Sequence, residues 1–427
     1  MSLLPDPAAP CALPDSPLAH VRAGIDACVH CGFCLQACPT YVNLEDENDS
    51  PRGRILLMRS VLEGTLPVDD PDVRTHIDRC LGCRACETAC PSGVPYGHML
   101  EAMRATLGER KPPPLLARLM LAVFAHRWLL TPALLGARLL RATGLPRVLA
   151  RVLPARAGFA MAMLASTTSP IRRRRPRARP GAPRATVTTL TGCVMRGLFA
   201  HVHGATHDAL TVNGYRVVAT RGQGCCGALH AHAGDLETAR ALARTNVAAF
   251  ERTDAEYIAI NSAGCGAMIK EYGDLLADDP AWADRARAVA ARARDVSELL
   301  AQAGPTPATG TRTDRVTYDA PCHLLHAQRV ASPPLTMLAA VRAIDLVALE
   351  DADQCCGSAG IYNLIEPETS DAVLTPKLAR IAETNATLVA TGNPGCLMQL
   401  GAGLLRSGSP VRVVHPVELL ADAYADA

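Results

Sequence analysis

Two cysteine runs confine the fold of this chain more than any other feature. Cys28, Cys31, Cys34 and Cys38-Pro39 are repeated as Cys80, Cys83, Cys86 and Cys90-Pro91, each run reading C-x2-C-x2-C-x3-C-P. Spacing this tight gathers several thiolates around one small point, and soft sulfur ligands select iron–sulfur clusters or zinc. Three cysteines at every third position with a trailing Cys-Pro form the bacterial ferredoxin pattern, in which the fourth cysteine of each run ligates the other cluster. The expected ligand sets for two [4Fe-4S] clusters are therefore Cys28, Cys31, Cys34 and Cys90, and Cys80, Cys83, Cys86 and Cys38. Zinc ribbons are the competing reading, but they use two C-x2-C pairs set farther apart.

At 427 residues the chain is too long for one core and reads as several domains. Hydrophobic residues make up 49% and aromatics 4%, so cores of Ala, Val and Leu are expected. A net charge of +2 argues against a dedicated nucleic-acid binder. Residues 1–17 read as a flexible leader, without the basic start and apolar core of a signal peptide. With no signal peptide, 17 cysteines fit a reducing cytoplasm that keeps thiols free for metal. Cys11 has no partner in sequence and reads as a bystander.

Residues 18–108 hold both runs, separated by an insert of 41 residues in which 53–63 and 72–80 read as helices. A mainly helical two-cluster domain is expected. Arg52 and Arg54, beside the turn that starts at Asp49, either screen cluster charge or are ordinary exposed loop arginines. Residues 109–165 form a helical segment. Its longest charge-free stretch, 128–137, has ten residues including Pro132, whereas a bilayer crossing needs about twenty. Arginines at 118, 127, 138, 141, 147 and 151 suit helices lying on a membrane surface. Packing on the protein's own core or on a partner is the preferred reading. Residues 166–185, with Arg172 to Arg175 and several prolines, read as an extended linker, open to anionic lipid.

The remainder is duplicated. Cys193, Cys225-Cys226 and Cys265 recur as Cys322, Cys355-Cys356 and Cys396, at offsets of 129, 130, 130 and 131 residues, with glycine after each pair. A repeat of this length is a duplicated domain, here 186–305 and 312–427. β-Branched runs at 186–191, 215–220, 257–260, 315–318, 346–349 and 387–391 precede the cysteines, and helical patterns such as 236–250, with Asp235 as N-cap, follow. Alternating strands and helices imply a parallel sheet. Cysteines at the carboxyl ends of its strands would meet in the crevice where α/β folds place ligands. Four thiols per half are candidates for a further iron–sulfur centre, a zinc, or simple apolar packing. His323 and His326 are candidate extra ligands, against the commoner role of loop histidines.

The segments Cys28-Val29-His30-Cys31-Gly32-Phe33-Cys34, Ser50-Pro51-Arg52-Gly53-Arg54-Ile55 and Cys80-Leu81-Gly82-Cys83-Arg84-Ala85-Cys86 resemble the iron–sulfur subunits of glycolate oxidase. So do Gly224-Cys225-Cys226-Gly227-Ala228, Ser262-Ala263-Gly264-Cys265-Gly266-Ala267 and Cys355-Cys356-Gly357-Ser358-Ala359-Gly360. The later halves are similar to the cysteine-rich CCG domains shared with heterodisulfide reductase, which imply an unusual [4Fe-4S] centre where the motif ends C-x2-C. Here Met268 and Gln399 stand where the last cysteines would be, which removes one ligand from each half.

The resemblance implies a multidomain α+β chain: a mainly helical two-cluster ferredoxin-type domain followed by two α/β CCG domains. It also implies two flavin-type partner subunits that oxidise glycolate to glyoxylate, with FAD on those partners, and a quinone or other membrane acceptor. The chain itself has no catalytic constellation and no G-x-G-x-x-G after a strand, so electron transfer is its expected role within a glycolate dehydrogenase. A cytoplasmic protein peripheral on the inner membrane is the matching location. Alternatives are the equivalent subunit of a lactate or glycerol-3-phosphate dehydrogenase, or a heterodisulfide-reductase-like thiol enzyme.

Overall fold

The computed structural model describes residues 11–171, 176, 182–308 and 310–425. The chain forms two compact units, and they do not follow the order of the sequence. The first takes residues up to Leu121 together with Leu229–Ala239 and Gly357–Val373; the second takes the rest.

The first unit is helical around Leu18, Ile25, Ile55, Met58, Ile77, Met99 and Met103, all buried. Helix Pro51–Leu62 starts where Ser50 Oγ accepts from Gly53 N–H (3.0 Å), and it buries Ile55, Met58 and Leu62 on one face. Helix Pro71–Asp78 is capped by Asp70 and buries Val73 and Ile77, four residues apart. Cys11 and Leu13 pack against this core and Ala12 N–H donates to Leu62 O (2.7 Å), so the described end of the leader is held, not loose. Helix Tyr96–Arg110 completes the unit's core.

The second unit contains two four-stranded parallel sheets of identical order. In the first, β1 (Ala185–Thr189) lies between β2 (Tyr215–Val218) and β3 (Tyr257–Ile260), with β4 (Ala293–Asp295) outside β3. In the second, β5 (Arg315–Tyr318), β6 (Asp345–Val347), β7 (Leu388–Ala390) and β8 (Arg412–Val414) repeat the arrangement. One continuous core, including Val187, Val202, Leu210, Val316, Val389 and Leu420, runs through both. The architecture is α+β. Strands β4 and β8 were not expected: Ala293-Arg294-Asp295 is short and polar and carries no strand pattern.

Helices Arg127–Ala142 and Leu145–Val152 turn one face inward: Leu130, Pro146 and Ala150 are buried, and Leu134 and Ala137 lie against the core. Trp128, Leu135, Leu139, Val148 and Val152 of the same helices are exposed. Among the described residues no single helix is long and apolar enough to cross a membrane. The linker residues 172–175 and 177–181 lie outside the described residues.

Candidate metal centres

Both ferredoxin-type runs wind through the same backbone turn. His30 and Gly32 hold positive φ (53° and 86°) in the first, and Gly82 and Arg84 do so at the matching positions of the second (61° and 65°). Left-handed residues at alternate positions bend each run back on itself, so that its cysteines face a common point. A Cβ at Gly32 would lie 2.8 Å from Arg52 Nη1 and displace that side chain, whereas Arg84 fills the matching position of the second run. Cys38 then caps helix Pro39–Leu44, and Cys90 ends helix Ala85–Ala89.

The sulfurs sort across the runs. Cys28, Cys31 and Cys34 line one cavity, and Cys90 of the second run lines it with them. Cys86 also touches this wall, but its strongest thiol neighbours are Cys80 and Cys38. Cys38, Cys80, Cys83 and Cys86 are buried, whereas Cys31 is exposed. Burial pushes the Cys34 thiol up to about 11, opposed by the Arg52 backbone N–H, and raises Cys28 and Cys86 in the same direction. Thiols of this kind stay neutral until a soft cation draws off their protons. Among the described residues no carboxylate lines the cavity. A donor set of sulfur alone fits an iron–sulfur cluster.

A polar shell surrounds Cys38 and Cys80. Arg54 lies on helix Pro51–Leu62 and is 0% exposed, so it is not a loop arginine. It donates to Asp49 Oδ1 (3.1 Å), Thr40 Oγ1 (3.1 Å) and His76 O (2.6 Å). Arg79 Nη1 takes the other Asp49 oxygen at 2.9 Å. Thr40 Oγ1 sits 3.2 Å from Cys38 Sγ, while the Tyr96 hydroxyl (3.7 Å) and the Gly82 N–H (3.4 Å) donate to Cys80 Sγ. Arg52 is bound to Glu47 (2.6 Å) and Arg84 to Glu87 (3.0 Å). Thr40, Asp49 and Tyr96 had no signal in the sequence, because isolated polar residues have no spacing to read.

The segments that follow the double cysteines belong to this first unit, and they meet it at one place. Arg104 Nη2 donates to Cys80 O (2.6 Å) and Nη1 to His232 O (2.8 Å). Tyr362 donates through its hydroxyl to Arg79 O (2.7 Å). His232 and Tyr362 each stand six residues after a double cysteine, Cys226 and Cys356. The same position of both repeats therefore lies near the Arg79-Cys80 step, Tyr362 directly on Arg79 and His232 through Arg104.

In the second unit each repeat collects its own thiols. A hydrogen bond to Cys225, then burial, pushes the Cys193 thiol well up, and Cys226 is raised by hydrogen bonds to Cys225 and Cys265. Cys322, Cys355, Cys356 and Cys396 repeat this pattern. The surroundings differ. In the first half Asn246 Nδ2 donates to Cys225 O (2.8 Å) and the Tyr272 hydroxyl to Cys226 O (2.8 Å). In the second a buried pair, Asp319 and Lys377 (3.1 Å), lies beside the set, and Asn393 Nδ2 donates to Cys396 Sγ (3.5 Å). Met268 and Gln399 are both buried. Cys322 opens a π-helical turn, His323–Ala327, a form frequent at functional sites. Within it, His326 Nε2 lies 3.2 Å from Asp353 O, the place of a loop anchor.

Comparison with known proteins finds both kinds of cysteine-bearing segment. A 4Fe-4S dicluster domain model matches residues 24–94, and a cysteine-rich domain model matches 187–270 and 316–401. The chain is 38% identical over 420 residues to a probable glycolate oxidase iron-sulfur subunit of Bacillus subtilis (strain 168), covering 93% of each. It is 34% identical over 407 residues to the glycolate oxidase iron-sulfur subunit of Escherichia coli (strain K12), again 93% of each. Lactate utilization protein A of Oceanobacillus iheyensis is 32% identical over 235 residues, 55% of this chain and 96% of that protein. The chain belongs to the family of glycolate oxidase iron–sulfur subunits.

Proposed function

We propose that this chain carries single electrons within a glycolate-oxidising complex, from two flavin-type partner subunits toward a quinone-type acceptor. Cys28, Cys31, Cys34 and Cys90 would hold one [4Fe-4S] cluster, and Cys80, Cys83, Cys86 and Cys38 the other. The observation that carries this reading is the crossing of the runs: Cys90 stands in the cavity of the first run. The clusters supply one-electron chemistry when bound. The chain's own residues hold them, bury the second set and set its charge environment. Hydride removal from a 2-hydroxy acid falls to the partners' FAD.

The two CCG thiol sets are proposed as a further soft-metal or redox site, iron–sulfur or zinc. Attachment to the cytoplasmic face of a membrane is proposed through helices Arg127–Ala142 and Leu145–Val152. Their exposed Trp128, Leu135, Leu139, Val148 and Val152 share those helices with Arg127, Arg138, Arg147 and Arg151. No Asp or Glu occurs between Glu109 and Asp208. Apolar side chains beside arginines, with no carboxylate to repel lipid phosphate, suit an anionic bilayer surface.

Cys31→Ser in the intact complex should abolish glycolate-dependent quinone reduction while flavin reduction by glycolate survives; unimpaired quinone reduction contradicts the proposal. Similarity to lactate utilization protein A favours one second reading, the equivalent subunit of a lactate-oxidising complex. The acid oxidised faster by the purified complex separates the two.

A further inference from the structure

We propose that Tyr96 and the buried Arg54 network raise the reduction potential of the site formed by Cys38, Cys80, Cys83 and Cys86 above that of the site formed by Cys28, Cys31, Cys34 and Cys90. The inference rests on the ligand sets proposed above. Reduction adds one electron and no proton to a thiolate-bound, already anionic group. Neighbours that stabilise negative charge therefore favour the reduced state.

At the second site such neighbours converge. Tyr96, 3% exposed, donates its hydroxyl to Cys80 Sγ (3.7 Å), and the Gly82 N–H reaches the same sulfur (3.4 Å). Arg54, 0% exposed, is electrostatically coupled to both Cys80 and Cys38. Asp49 pairs with two arginines, Arg54 and Arg79, so that group carries a net positive charge. Burial alone acts the other way, because a low dielectric disfavours added charge. A cation buried beside the thiols is screened as little as they are, and it opposes that bias.

The first site has one buried arginine, Arg59, acting on Cys28, against the Arg54 and Arg79 pair at the second. Cys28 and Cys34 receive backbone N–H groups, from His30 and Arg52. Cys31 is exposed, as are Val29 and Phe33 beside it (58% and 69%). The Arg52 charge is matched by Glu47 at 2.6 Å. One electron passing from the first site to the second oxidises the first and reduces the second, with no proton moved. The exposed site is thus where an electron from a reduced flavin partner enters. The buried one is where it rests, beside the Arg79-Cys80 step that Tyr362 bonds directly and His232 through Arg104.

The test is a potentiometric titration of the full chain followed by EPR, with iron counted in every sample. Wild type should give two one-electron signals. Tyr96 also lines the first cavity but donates to Cys80 Sγ, so Tyr96→Phe should lower the higher-potential signal more than the other, changing its oxidised-to-reduced ratio at fixed poise about tenfold, or about 59 mV. Arg52→Gln should move only the lower one. Arg79→Gln, which leaves the Asp49 and Arg54 pair neutral, provides the same readout should Tyr96→Phe not fold. Two signals with neither moved by Tyr96→Phe or Arg79→Gln, or larger movement of the lower-potential one, overturns the inference alone. Fewer than two clusters in wild type overturns the ligand assignment, and the inference with it.

Discussion

Arg104 holds the backbone carbonyl of Cys80 at 2.6 Å, and the same guanidinium also reaches Ile77 O, Asp78 O and His232 O. One side chain thus ties a proposed cluster ligand to a segment from a CCG repeat. Lysine offers a point charge in place of this planar fork. A lost hydrogen bond to a charged group costs about 1.5–3 kcal/mol. Arg104→Lys should therefore release iron to a ferrous chelator at least several times faster than wild type. An unchanged release rate contradicts this role.

Asp49 is 0% exposed and receives two arginines and His76. Asp49→Asn leaves Arg54 buried without its counter-charge, a loss of about 3–5 kcal/mol. Urea unfolding of the iron-loaded chain should show that loss in its first transition. A change below about 1 kcal/mol, the level of an exposed ion pair, would mean the pair is not buried in solution.

Glu418 gives the fold a pH dependence. Burial, with Asp422 adding repulsion, pushes its carboxyl up from 4.5 to about 7, against donation from Ser169 Oγ and His415 N–H. The folded chain then binds an extra proton between those values, so this residue's contribution falls as pH rises from 4.5 to 7. Burial drives His415 the opposite way, down to about 3, and its contribution is lost as pH falls below 6.5. Neighbouring His201, 3.7 Å from Glu418, is held at about 4 and stays neutral through the upper window. Glu418→Gln should leave stability near pH 4.5 unchanged and raise it at pH 8, by up to about 3 kcal/mol. Parallel pH profiles for variant and wild type would contradict this.

Binding to anionic vesicles should fall more than tenfold in the double variant Arg138→Glu and Arg147→Glu, since each surface arginine contributes about 1 kcal/mol. Added salt should weaken wild-type binding. Equal binding of both proteins, or equal binding to neutral vesicles, contradicts a basic lipid-facing surface.

What the sequence disclosed was whatever spacing encodes. The two cysteine runs, the near-constant offset of the CCG repeats, and strands such as Tyr257–Ile260 ending before Cys265 are all local or periodic. The shell around Cys80 was not legible: Tyr96 and Arg104 reach it from 16 and 24 residues away, across a turn no pattern encodes. Nor could composition reveal that Leu229–Ala239 and Gly357–Val373 leave their repeats for the first unit. Apolar residues between arginines fit either a core or a surface, and here Leu134 packs inward while Trp128 and Val152 face out, a split no spacing marks.

The most direct test of the central claim is iron, acid-labile sulfide and zinc per chain in anaerobically purified protein. Two [4Fe-4S] clusters predict at least about eight irons and eight sulfides, and further iron, or zinc beside those eight irons, would lie in the CCG sets. Zinc with little iron would contradict electron transfer as the function of this chain.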